Sequence, residues 1–215
     1  MKDWRLIYII FAKSEDKLYI SNKNRQAYFV LLSVCIIFVR INLKNCNVMF
    51  DKETYVQRRA LLKKNIGSGV LLFLGNDEQG LNYEDNAFRY RQDSTFLYYF
   101  GLSFAGLSAI IDIDEDKEII FGDELTIDHI VWMGTQPTLK EKSERVGIRE
   151  TLPSVAIISY LHKAVQKGQT VHYLPPYRPE HKLKLMDWLG IPPARQEGSV
   201  PFIRAVVAPV SYTHL

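Results

Sequence analysis

The sequence predicts an α/β domain, a mixed β-sheet flanked by helices, spanning about residues 49–208. Three observations point to it. Short apolar runs bounded by glycine or turn residues recur along this region, as in "GVLLFLG" at residues 69–75. Amphipathic helical segments are interleaved with those runs, which favours an α/β arrangement over separate layers of strands and helices. All 12 Gly and all 9 Pro fall after Val48, so turn punctuation is confined to this region.

The elements follow in order. Asp51 is placed to cap a helix, Glu53 suits its first turn and Gly67 its end. Tyr55, Leu61 and Leu62 form its expected apolar side, with Arg58, Arg59, Lys63 and Lys64 facing solvent. Residues 69–75 read as a buried strand and residues 76–86 as a polar loop. "STFLYYFG" at residues 94–101 reads as a second strand covered on both faces, with Phe96, Tyr98 and Phe100 on one side. "GLSAIIDID" and "KEIIFG" flank Asp114, Glu115 and Asp116 and predict a hairpin. "TLKEKSERVG" and "SVAIISYLHKAVQKG" predict helices ending at Gly147 and Gly168. "TVHYLP" predicts a strand, and "RPEHKLKLMDWLG" a helix with Pro179 in its first turn and Gly190 after its end.

The ends differ in composition. Residues 1–48 carry 8 Lys/Arg and 3 Asp/Glu and hold both cysteines. Of the 27 basic and 24 acidic residues in the chain, 19 and 21 therefore lie in the remainder, whose net charge is −2. The overall +3 belongs to the extension, and nothing in the domain suggests a nucleic-acid partner. Residues 1–48 read as a non-native upstream extension, with Met49 as the natural start. The rival reading is a membrane anchor at "AYFVLLSVCIIFV", residues 27–39, but a spanning helix needs about 20 apolar residues. Without a signal-peptide pattern and without cysteine after residue 48, the expected location is cytoplasmic. Residues 209–215, "VSYTHL" preceded by Pro209, resemble a sequencing-adapter end read in frame; a frayed natural terminus is the alternative.

Local motifs offer no self-contained catalytic apparatus. "DIDEDKE" at residues 112–118 imitates a calcium loop, but Lys117 and Asp123 stand where such a loop needs Gly and Glu, so a hairpin turn is the expectation. His129, His162, His172, His181 and His214 form no pair at metal-ligand spacing, and His162 and His181 read as surface residues of amphipathic helices. No nucleophile elbow is present, and "GSG" at residues 67–69 is too short for a phosphate loop.

"FRYRQDSTFLYYFGL" at residues 88–102 resembles the "FRQ(N/D)SxFxYxxG" signature of the amino-terminal domain of Xaa-Pro aminopeptidases, also called aminopeptidase P. "YVQRRALLKKNIGSGVLLFLG", "EIIFGDELTIDHIVWMGTQPT" and "EKSERVGI" resemble further segments of that domain in the same order. The resemblance implies an amino-terminal α/β domain joined to a pita-bread catalytic domain. In that second domain, two Asp, one His and two Glu hold two metal ions, usually manganese, and a bridging hydroxide cleaves the bond before proline. The pita-bread domain and its five ligands are missing from this sequence. Carried over by resemblance, this chain therefore has no catalytic residue, no metal ligand and no cofactor of its own.

The resemblance also implies two substrate-binding residues. Trp132, in "LTIDHIVWMG", matches the tryptophan that reaches a neighbouring subunit's groove in tetrameric members, and Arg195 matches a second substrate-facing arginine across a gap. The implied partners are peptides with proline second and further copies of the same chain. A standalone peptide- or protein-binding module of the same fold, and a prolidase or creatinase relative, remain alternatives.

Overall fold

The computed structural model describes residues 50–83, 86–124, 134 and 136–208. Trp132, the upstream extension and the terminal tail lie outside the described residues.

Helix α1 spans Lys52–Ile66. It ends at Gly67, whose φ of 89° admits the turn and whose N–H donates to Lys63 O at 2.9 Å. Asp51 occupies the cap position, but its side chain makes no capping bond. The buried stripe is Tyr55, Arg59 and Leu62, spaced one and two turns apart. Two expectations are thereby corrected: Arg59 is fully buried, and Leu61, a residue off that stripe, is exposed.

The sheet contains β1 (Val70–Leu74), β2 (Ser108–Asp112), β3 (Lys117–Phe121), β4 (Glu150–Leu152) and β5 (Val171–Tyr173), in the order β4-β3-β2-β1-β5. β1 pairs antiparallel with β2 and parallel with β5, β2 and β3 form the expected hairpin, and β3 pairs parallel with β4. The sheet is mixed, as the sequence predicts. β4 was not expected, because "ETL" has no apolar run; it is held by its pairing with Ile119, Ile120 and Phe121.

The period-two alternation of the strands divides the core. Leu71, Phe73, Ala109, Ile111 and Ile120 pack on one face with Tyr55 and Leu62 of α1, with α2 (Ser94–Phe100), and with Phe202 and Ala205 of α6 (Val200–Val207). Val70, Leu72, Ile110, Ile119 and Phe121 pack on the other with α4 (Ala156–Gln166) and α5 (Pro179–Leu189). Helix α3 (Leu139–Glu144) starts with a capping box between Thr138 and Glu141.

Residues 94–100 are helix α2, not the strand read from the sequence. The reason is local. The Asp93 carboxylate accepts from Thr95 N and Phe96 N at 2.9 and 3.0 Å, and Gly101, at φ 64°, donates its N–H to Leu97 O. The buried aromatics are Phe96, Tyr99 and Phe100, a helical spacing, rather than the alternate residues a strand would bury. α6 was also unassigned by sequence pattern.

Candidate functional site

The segment with the most concentrated polar chemistry, residues 90–95, closes the end of the sheet where β1 leaves it. Gln92 is buried and joins three stretches of chain. Its Oε1 accepts from Asn76 N at 2.7 Å and Asp93 N at 2.9 Å, while its Nε2 donates to Phe104 O at 3.0 Å. Asn76 returns the contact by donating its side-chain amide to Arg91 O at 2.8 Å. Tyr90 donates its hydroxyl to Phe104 O at 2.8 Å, and burial pushes that hydroxyl's pKa well above the ordinary phenol value. These bonds satisfy backbone groups that the turn out of β1 would otherwise leave unpaired.

Beside this clamp, a crevice of about 120 Å³ opens at the carboxyl ends of the parallel strands β1 and β5. Leu74, Asp93, Thr95, Tyr173, Pro175, Tyr177 and His181 line it, with neighbouring backbone. The carboxyl ends of parallel strands are the usual location of ligand crevices in α/β sheets. Asp93 uses its second carboxylate oxygen to accept from the Tyr177 hydroxyl at 3.1 Å, and Tyr177 stands edge-on to His181.

His181 is buried, only 4% exposed, which corrects its reading as a surface residue. Its Nε2 lies 3.0 Å from Gly75 O. A carbonyl oxygen only accepts, so Nε2 carries the proton and the ring is held in that tautomer. Burial lowers the pKa of His181, while the Gly75 carbonyl opposes this by favouring the charged ring. Asp93 and His181 are therefore both committed to bonds that shape the crevice. With Nε2 protonated, Nδ1 is the acceptor nitrogen of the His181 ring.

Of the two sequence-predicted site residues, Trp132 lies outside the described residues and Arg195 lies within them. Arg195 is the last residue of a 3₁₀ turn, Pro193–Arg195, and is exposed. The next residue, Gln196, anchors that turn by donating to Lys182 O and Ile191 O at 2.9 and 2.7 Å. The crevice residues Asp93, Tyr177 and His181, and Gln92 in the clamp beside them, were missed as a set. Only Gln92 and Asp93 belonged to a recognisable sequence pattern; Tyr177 and His181 join them through the fold. Among the described residues, no group of three or more His, Cys, Asp or Glu could hold a metal ion. No described helix is long and apolar enough to cross a membrane.

A family model described as "Aminopeptidase P, N-terminal domain" matches residues 55–173, more than half of the chain. The chain belongs to the aminopeptidase P N-terminal domain family. Its mixed sheet with helices on both faces is that family's fold: a structure of the Pseudomonas aeruginosa aminopeptidase PepP superposes with a TM-score of 0.58 at 21% identity, covering 71% of this chain and 35% of that one. An alanine variant of Escherichia coli aminopeptidase P gives 0.56 at 18% identity, covering 66% and 33%. Among curated relatives, a probable Xaa-Pro aminopeptidase of Chaetomium globosum is 30% identical over 112 residues, and the human Xaa-Pro dipeptidase is 33% identical over 90 residues. The matched regions cover 50% and 40% of this aminopeptidase P-type domain chain and 18% of each relative. Within this family member, the signature at residues 88–102 is the clamp and helix α2.

Proposed function

We propose that this chain acts as the non-catalytic N-terminal domain of a longer, cytoplasmic Xaa-Pro aminopeptidase. The observation that carries the reading is the family match over residues 55–173, joined to relatives that act as Xaa-Pro peptidases and are much longer than this chain. The intact enzyme would release the amino-terminal residue that precedes proline, with two manganese ions supplied with ligands by a second domain. The N-terminal domain would support assembly of several copies and close the substrate groove. Trp132 and Arg195 would meet the peptide, so their contribution would be positioning and exclusion of water.

The likeness to the human Xaa-Pro dipeptidase supports a second reading, a prolidase that takes only dipeptides. One experiment separates them. The source DNA is read onward past the codon for Ala208, the continuous protein is expressed with manganese, and it is offered Xaa-Pro dipeptides and longer Xaa-Pro peptides. Cleavage of the longer peptides, with Trp132→Ala and Arg195→Ala raising KM, is the expected result. Cleavage of dipeptides alone selects the prolidase reading. No Xaa-Pro cleavage by the continuous protein would overturn both.

A further inference from the structure

Lys52, Lys140, Glu144, Gly147 and Arg149 surround an open depression of about 420 Å³. They come from three separate parts of the chain. Lys52 begins α1, Lys140 and Glu144 stand one turn apart on α3, and Gly147 and Arg149 lie on the approach to β4. Gly147 keeps the floor bare: at φ 85°, a Cβ there would meet Val56 Cγ2 at 2.7 Å and Lys52 Cε at 3.4 Å.

The cationic lining of this depression runs against the net charge of the domain. Residues 49–215 carry a net charge of −2. Elsewhere in the described domain, Lys63 pairs with Asp116 and Glu118, Lys117 and Lys167 with Glu115, and Lys184 with Asp77. Lys52, Lys140 and Arg149 are exposed and have no salt-bridge partner among the described residues. Three cations thus face one depression against a single carboxylate, Glu144. Their mutual repulsion is relieved by an anion, and a guanidinium beside two ammonium groups presents both forked and single donors to oxygen.

We propose that this depression is a binding site for a doubly charged oxyanion of the phosphate class. The site lies outside the crevice at the ends of β1 and β5, shares no lining residue with it, and does not depend on the enzymatic reading above.

The test is a titration of the ¹⁵N-labelled full chain with inorganic phosphate, followed by amide shifts, with ionic strength held constant by sodium chloride. Saturable shifts at Lys52, Lys140, Gly147 and Arg149 are expected. Lys140→Gln and Arg149→Gln should each weaken binding about two- to five-fold, the range of an exposed charge contact. Glu144→Gln should tighten it by a similar factor, an effect that loss of structure could not produce. A parallel titration with phosphoserine distinguishes the sources. Binding comparable to phosphate assigns a phosphorylated side chain as ligand, and binding of phosphate alone assigns the free ion. Shifts that do not saturate, shifts reproduced by chloride alone, or unchanged binding in Arg149→Gln would overturn the site.

Discussion

Arg59 Nε donates to Glu118 Oε2 at 2.8 Å, joining helix α1 to strand β3 beneath the surface of the domain. The sheet register makes this contact. Glu118 stands opposite Ile111, so it points to the face on which α1 packs. Nη1 and Nη2 donate to Tyr99 O and Val146 O, both at 2.9 Å, the first at the end of α2 and the second just after α3. One buried cation thus holds four elements. Burial pulls the Arg59 pKa below its ordinary value, and Glu118 opposes that pull.

Arg59→Ala should destabilise the domain by about 3–5 kcal/mol, because it leaves two carbonyls without their donor and Glu118 with Lys63 as its remaining cation. Combining Arg59→Met with Glu118→Leu should recover only part of the loss, since Tyr99 O and Val146 O stay unpaired. Urea denaturation of the three proteins measures this. Full recovery in the double variant would mean that the carbonyl bonds contribute nothing.

Asp93 should contribute as a cap. Asp93→Ala removes the acceptor for two amides at the start of α2 and the partner of Tyr177, and should cost about 1–2 kcal/mol. Tyr177→Phe should cost less, because Tyr177 is exposed and its bond to Asp93 lies at the rim. A double-mutant cycle on the two residues reads the coupling directly; equal losses for both single variants would contradict the cap as the main role.

Two glycines in the same backbone region should respond differently to alanine. Gly101 and Gly190 have φ values of 64° and 66°. Nothing lies within 4 Å of a Cβ at Gly190, so Gly190→Ala should cost about 1–2 kcal/mol, the conformational penalty alone. A Cβ at Gly101 would stand 2.4 Å from Tyr55 Cζ, in a fully buried ring. Gly101→Ala should therefore add a packing cost of about 1–3 kcal/mol. Thermal midpoints of the two variants, compared with the parent, decide it.

Acid should weaken the domain through its histidines. Burial lowers the pKa of both His181 and His172 from the ordinary 6.5. The unfolded chain then binds protons at a pH where the folded one does not. Their contribution is fully present above pH 6.5 and is lost as pH falls through the folded values. The charged groups facing His181 are Asp93, Asp77 and Lys184, and Asp114 faces His172. Thermal midpoints measured from pH 8 to pH 5 should fall less steeply in the His172→Gln, His181→Gln double variant. Identical slopes would place the acid sensitivity elsewhere.

The sequence by itself determined the α/β class, the hairpin, the helices at residues 52–66, 156–166 and 179–189, and the family signature, because each is written in short-range patterns of apolar residues, caps and glycines. Tertiary structure decided the rest. A run of seven residues such as "STFLYYF" can bury aromatics as a strand or as a helix, and capping by Asp93 with packing against Phe73 settled it as α2. β4 is three residues long and exists only because β3 is beside it. Arg59 and His181 lie on the buried stripes of their helices but carry polar groups that residue type assigns to solvent. Each is buried because carbonyls far away in sequence, at Val146 and Tyr99 for one and Gly75 for the other, are brought within hydrogen-bond reach to receive them.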